Sequence, residues 1–72
     1  MEPLKFTIAI NPKGGVLYIY RSHIVAVAPY WASGSQGDVI EPHRAVLHLE
    51  GGTYWVVDGS PQEVMLRIAE GR

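Results

Sequence analysis

Through the first 58 residues, short runs of Val, Ile, Leu and Tyr alternate with clusters rich in Gly, Pro and Asn. Runs of this length between turn residues are typical of β-strands. The pattern predicts five strands, at residues 4–10, 16–20, 24–28, 43–50 and 53–58. Residues 16–28 and 43–58 are each expected to form a hairpin.

The clearest alternation lies in residues 43–50. Ala45, Leu47 and Leu49 are expected on one face of that strand, because successive side chains in a strand point to opposite sides. The pair Gly51-Gly52 follows, and glycines tolerate the positive φ angles of a tight hairpin turn. The next strand is therefore expected to return as the partner of this one.

The last segment changes from strand to helix periodicity. Ser60 is a suitable N-cap, Glu63 completes a capping box, and Gly71 is expected to stop the helix. Pro61 stands at the first helical position, where proline is favoured. One apolar stripe is expected to face the sheet, formed by Pro61, Val64, Met65 and Ile68. Leu66 lies off that stripe and is a candidate for a partner surface.

The expected fold is α+β, a single domain over residues 1–72. It consists of a small twisted antiparallel sheet of about five short strands with one C-terminal helix packed on it. The second strand carries Leu17 and Ile19 on one face and Tyr18 and Tyr20 on the other, so both faces of the sheet are expected to be apolar.

Self-association is the expected way to bury this apolar surface. A 72-residue chain has a small core, and without cysteine it forms no disulfide. Hydrophobic residues make up 47% of the chain and charged residues only 18%, so one core cannot hold all of them. The sequence therefore predicts a homo-oligomer.

No catalytic, cofactor or metal site is expected. His43 and His48 are five residues apart on one predicted strand and should point to opposite faces, and His23 is remote from both. Ser22 adjoins His23, but neighbouring side chains of an extended chain diverge. The stretch ASGSQGD lacks the lysine and the following helix of a phosphate-binding loop. A non-enzymatic protein is predicted.

Charge and hydropathy argue against two classes of partner. The net charge of −1 creates no global field that would attract nucleic acid or an anionic membrane. The N-terminal residues lack the pattern of a signal peptide, and no apolar run approaches the length of a membrane span. The absence of cysteine fits the cytoplasm, where the protein is expected to act.

The one long predicted connection, residues 29–42, begins with an aromatic pair. Tyr30 and Trp31 are expected to be buried, against their own sheet or a neighbouring subunit, and residues 33–38 to form a mobile hinge or tip. Seven residues are candidates for an interaction surface: Tyr18, Tyr20, Tyr30, Trp31, Arg44, Trp55 and Leu66.

Three interpretations of these seven residues stay open. A protein-protein interface uses Tyr, Trp and Arg without needing a positive field. An aromatic and arginine-bearing sheet face could instead stack nucleic-acid bases, with Arg21 and Arg44 as its cations. The third interpretation is a small-ligand site between subunits, lined by Tyr30, Trp31 and Trp55.

The order of elements resembles a known family. The pattern is a strand entry, a variable loop, a strand ending in Gly-Gly, an aromatic-Val strand and a Ser-x-x-Glu-Val helix start. It resembles small bacterial and phage proteins of the FlbD-like flagellar type. The matching parts, about two thirds of the chain, are residues 24–27, 47–52, 54–57 and 60–64. The resemblance implies the same architecture and a bacterial or phage origin, and it brings no catalytic residues with it.

Overall fold

A computed structural model describes residues 2–34 and 37–71 as five strands and one α-helix. The strands pair antiparallel in two sheets, β1-β2 and β3-β4-β5, and the helix α1 packs against β3 and β4. The α+β class, the five strands and the packed C-terminal helix are thus confirmed. The elements are β1 Leu4–Thr7, β2 Val16–Ile19, β3 Ile24–Gly34, β4 Gly37–Leu49, β5 Tyr54–Asp58 and α1 Pro61–Glu70.

The predicted hairpin over residues 16–28 is wrong, because β2 pairs with β1 and β3 pairs with β4. A tight turn closes β1 onto β2: the Ile8 N–H donates to the Gly15 carbonyl at 2.7 Å, and the Gly14 N–H donates to the Ile8 carbonyl at 2.8 Å. A short 3₁₀ helix, Arg21–His23, then separates β2 from β3.

Residues 8 and 9 join the two sheets. Ile8 forms a single bridge with Val57, and the Ala9 N–H donates to the Val56 carbonyl at 2.8 Å. The chain that leaves β1 therefore lies along the outer edge of β5. Of the two edges of the three-stranded sheet, this one is partly occupied by the protein itself.

The expected connection at residues 29–42 is instead mostly strand. The long strands β3 and β4 continue through it as a two-stranded ribbon, paired from Tyr30↔Glu41 to Gly34↔Gly37. We call this ribbon, residues 30–34 and 37–41, the arm. Its β-branched and aromatic residues favour extended backbone. The expected mobile tip falls partly at residues 35–36, outside the described residues.

The core lies between the two sheets and the helix. Its largest fully buried side chains come from four different elements, and they are Phe6, Leu47, Val57 and Val64. Ala45 is also fully buried, whereas His48 is exposed, so the predicted faces of residues 43–50 are confirmed.

The prediction that Met65 meets the sheet is wrong, because its side chain is 58% exposed. Successive helical residues are about 100° apart around the axis. Val64 and Ile68 are four residues apart and share one direction, toward the core. Met65 is therefore turned to the flank of the helix, beside β3.

Ser60 and Gly71 cap the two ends of the helix, as predicted. The Glu63 N–H donates to Ser60 Oγ at 3.1 Å. Gly71 adopts a left-handed conformation with φ 75°, and its N–H donates to the last carbonyls of the helix. Arg67 fixes the helix to β1, since its guanidinium donates to the Lys5 carbonyl and lies 4.4 Å from the centre of the Phe6 ring.

Replacing Ser60 by alanine is expected to lower the free energy of unfolding by about 1 kcal/mol, because the Glu63 N–H loses its acceptor. Urea denaturation measures the change. Gln62→Ala is the control: Gln62 is exposed in the same helical turn, and alanine is favourable there. A loss no larger for Ser60→Ala than for the control would contradict the capping role.

Candidate protein-interaction surface

The seven candidate residues do not form one cluster. Tyr18 and Tyr20 are exposed at β2, Leu66 is exposed on α1, and Trp55 is half-buried against the core. Trp31 lies in the arm with 57% of its surface exposed, so it is not buried against its own sheet.

The outer edge of β3 is the most distinctive surface of the described residues. In the order β3-β4-β5, one side of β3 pairs with β4, and the described residues form no ladder on its other side. All 11 residues of the strand, Ile24–Gly34, are uncharged. Exposed strand edges are usually protected by charged residues, prolines or bulges. Here the protection is limited to Pro29 and two shifts in register, at Ile24/Ala26 and Pro29/Tyr30.

An apolar groove runs along the first half of this edge. It has a volume of about 260 Å³ and separates β3 from α1. Val25, 67% exposed, lies on one side of the groove, and Met65 lies on the other. The groove contains no charged side chain, and it is lined by Ile24, Val25, Ala26, Val27, Met65, Ile68 and Ala69.

The arm carries apolar side chains on the same side of the sheet as α1. Trp31 is paired with Ile40, so the two side chains share one face of the ribbon. Val27 is paired with the buried Leu47, and because the register shift at Pro29/Tyr30 adds residues to β4 only, alternation along β3 predicts Trp31 on the same side as Val27. Trp31 therefore extends the core side of the sheet beyond the part that the helix covers.

A second cavity, of about 370 Å³, is lined by Tyr30 and Trp55, two of the three residues that the small-ligand interpretation placed at a site between subunits. Trp31 is absent from its lining. The remaining lining residues are Ile10, Asn11, Tyr54 and Val56. No side chain of the lining is charged, so the cavity offers no fixed charge to hold an ionic ligand.

The two cations of the base-stacking interpretation, Arg21 and Arg44, are separated from each other. Each already bonds to another group of the protein. Arg44 forms an ion pair with Glu41 at 2.9 Å, at the base of the arm. Arg21 donates from its guanidinium to the Ile68 carbonyl at 3.1 Å. Tyr18 is paired instead with Lys5 across β1 and β2. Arg44 and the tyrosine Tyr18 thus belong to different sheets.

The histidines contact aromatic rings rather than one another. The rings of His23 and Tyr20 are 6.3 Å apart, and those of His48 and Tyr54 are 6.2 Å apart. Among residues 2–34 and 37–71, no three His, Cys, Asp or Glu side chains are grouped so that they could hold a metal ion. Within the same residues, no helix is both long and apolar enough to span a membrane.

Comparisons with known proteins give no match: no family model fits the sequence, and no curated protein or solved structure is significantly similar to it. The resemblance to FlbD-like proteins therefore stays a prediction.

Sequence reasoning missed the groove residues Val25 and Met65. Met65 was assigned to the core, and Val25 to the interior of a short strand. One signal could have revealed the edge, namely the run of uncharged residues from 24 to 37. A strand without charge is unusual at the exposed rim of a sheet.

Proposed function

We propose that the protein is a non-enzymatic protein-interaction module that works as a homo-oligomer. The observation that carries the proposal is the uncharged outer edge of β3 with an apolar groove beside it. Such an edge offers backbone N–H and C=O groups to an added strand, and the groove receives apolar side chains of that strand.

The size of the chain supports the same conclusion. A domain of 72 residues buries a low fraction of its surface, and this chain has no disulfide as an additional constraint. Large apolar side chains stay exposed on β2, β3 and α1, including Tyr18, Trp31, Met65 and Leu66. Association would remove part of this apolar surface from water, and each Å² buried would stabilise the assembly by about 25 cal/mol.

Nucleic-acid binding is the weaker alternative. It needs several free cations beside exposed aromatics. Arg44 is paired with Glu41, and Arg21 is bonded to the end of the helix. We place the module in the bacterial cytoplasm, in line with its lack of cysteine and with the FlbD-like pattern.

Sedimentation equilibrium at micromolar concentration, in low and in high salt, tests the proposal. We expect a mass of at least twice the 7.9 kDa chain, and we expect high salt to leave it unchanged because the surface is apolar and uncharged. A monomer at every concentration would contradict the proposal. Binding to DNA or RNA that weakens steeply with salt would favour the alternative.

A further inference from the structure

We infer that two copies of this chain pair antiparallel through the outer edges of their β3 strands, so that Trp31 of each copy enters the groove between β3 and α1 of the other. This inference rests on the proposed homo-oligomer and specifies its interface. It assigns one occupant, a second copy, to the uncharged edge.

The choice of edge follows from charge and from occupancy. Residues 8 and 9 already bond to the outer edge of β5. In the arm, β4 carries the charged Glu41, which forms an ion pair with Arg44, and charged side chains on an edge strand disfavour pairing with another copy. The strand β3 is uncharged along its whole length and can pair with itself without that penalty.

The groove and the side chain that fills it lie on the same strand, on the same side of the sheet. The groove borders residues 24–27, and Trp31 projects from the arm a few residues further along. In an antiparallel pair related by a two-fold axis near Pro29, Trp31 of one copy lies beside Val27 of the other, and the reverse holds as well. Such an isologous contact is self-complementary and closes at two subunits.

This register also places large residues beside small ones. Tyr30 of one copy lies beside Ala28 of the other, on the face away from α1, and Ala32 lies beside Ala26. The bulge between Ile24 and Ala26 disrupts the strand just beyond that last pair, so pairing is limited to residues 26–32. Pro29 has no N–H to donate, and it lies at the axis, where its two copies face each other.

A second copy also explains how the arm is stabilised. A two-stranded ribbon is at most marginally stable in water. The arm extends beyond the core with Trp31 and Val39 largely exposed. Pairing along β3 would give residues 30–32 of each arm a third strand, formed by residues 26–28 of the partner, and it would cover Trp31 in the partner's groove.

Introducing opposite charges on the two sides of the contact between Trp31 and Met65 tests the inference. Trp31→Lys and Met65→Glu each put a charge into the apolar contact, which a dimer contains twice. We expect each variant to weaken dimerisation by about 30-fold per contact, or roughly a thousandfold for the dimer. Mixing the two variants is expected to restore a heterodimer, because one original contact remains and the other pairs the introduced lysine with the introduced glutamate.

Two control variants match these changes in chemistry. Leu66→Glu places the same acid on the neighbouring residue of α1, and Tyr54→Lys replaces another exposed aromatic residue by lysine. Both positions lie outside the groove, so both variants should keep the mass of the parent protein. All four positions are largely exposed, so the variants should fold, and circular dichroism checks that they do.

The outcomes separate this inference from the proposed function. If the Trp31→Lys or the Met65→Glu variant keeps the parent mass, the interface is wrong, while the homo-oligomer stands. If both are folded monomers and their mixture also stays monomeric, the direct contact between Trp31 and Met65 is wrong. If the parent protein itself is monomeric, both proposals fail.

Discussion

Replacing Phe6 by alanine is expected to lower the free energy of unfolding by about 3–5 kcal/mol, the cost of a large cavity in a packed core. Only 1% of the Phe6 surface is exposed. At roughly 0.05–0.15 kcal/mol per residue, a 72-residue domain has about 4–11 kcal/mol in total, so much of its stability would be lost. Urea denaturation followed by tryptophan fluorescence measures the change.

The position of Phe6 explains why this side chain matters so much. It belongs to β1, in the two-stranded sheet, and its core neighbours include Leu47 of the three-stranded sheet and Val64 of the helix. The Arg67 guanidinium lies over its ring and also bonds to β1. The side chain therefore belongs to a packing centre in which three elements, β1, β4 and α1, meet.

Phe6→Leu is the control, because leucine keeps most of the apolar volume and loses the aromatic contact with Arg67. It should cost less than half as much as Phe6→Ala. Both variants must be compared at one protein concentration, since association contributes to the apparent stability. An alanine variant within about 0.5 kcal/mol of the parent, the range of surface substitutions, would show that Phe6 does not belong to that packing centre.

The parts of the fold that the sequence predicted are those with local causes. The helix starts at Pro61 and ends at Glu70 because Ser60 and Gly71 satisfy its end groups, and both residues act on their immediate neighbours. The turn between β4 and β5 likewise depends on Gly51 and Gly52, whose φ angles are 85° and 87°. Such signals can be read without knowing what the rest of the chain does.

The parts that could not be predicted depend on remote contacts. Residues 16–20 are apolar on both faces, so their pattern does not identify which strand they join. The turn at residues 11–15 settles the matter by pairing β2 with β1. The arm was not predicted for a related reason. Its Gly and Ser residues are typical of loops. Its strands form because the pairing of β3 with β4 continues outward from the core.

Tyr18, Tyr20 and Trp31 are exposed, whereas Trp55 is half-buried, and a sequence does not show which aromatic residues share a face. Tyr18 and Trp31 lie on different sheets. Met65 lines the groove because its side chain points about 100° away from that of Val64 around the helix axis. Whether a helical residue faces the core or its flank is decided by tertiary packing.

Leu47→Ala should lower the free energy of unfolding by about 2–5 kcal/mol, and Leu66→Ala by no more than about 0.5 kcal/mol. The two variants delete the same atoms. Leu47 is fully buried near the end of β4, between β3 and β5, whereas Leu66 is 60% exposed on a helix, where alanine is favoured. Their difference therefore isolates the contribution of burial.

The same pair also tests where the interface lies, because Leu66 is exposed on α1 and does not line the groove. The Leu66→Ala variant should keep both the stability and the assembled mass of the parent protein. A loss at Leu66 equal to that at Leu47 would mean that Leu66 is buried in the assembled protein. The helix face, rather than the edge of β3, would then form the contact between subunits.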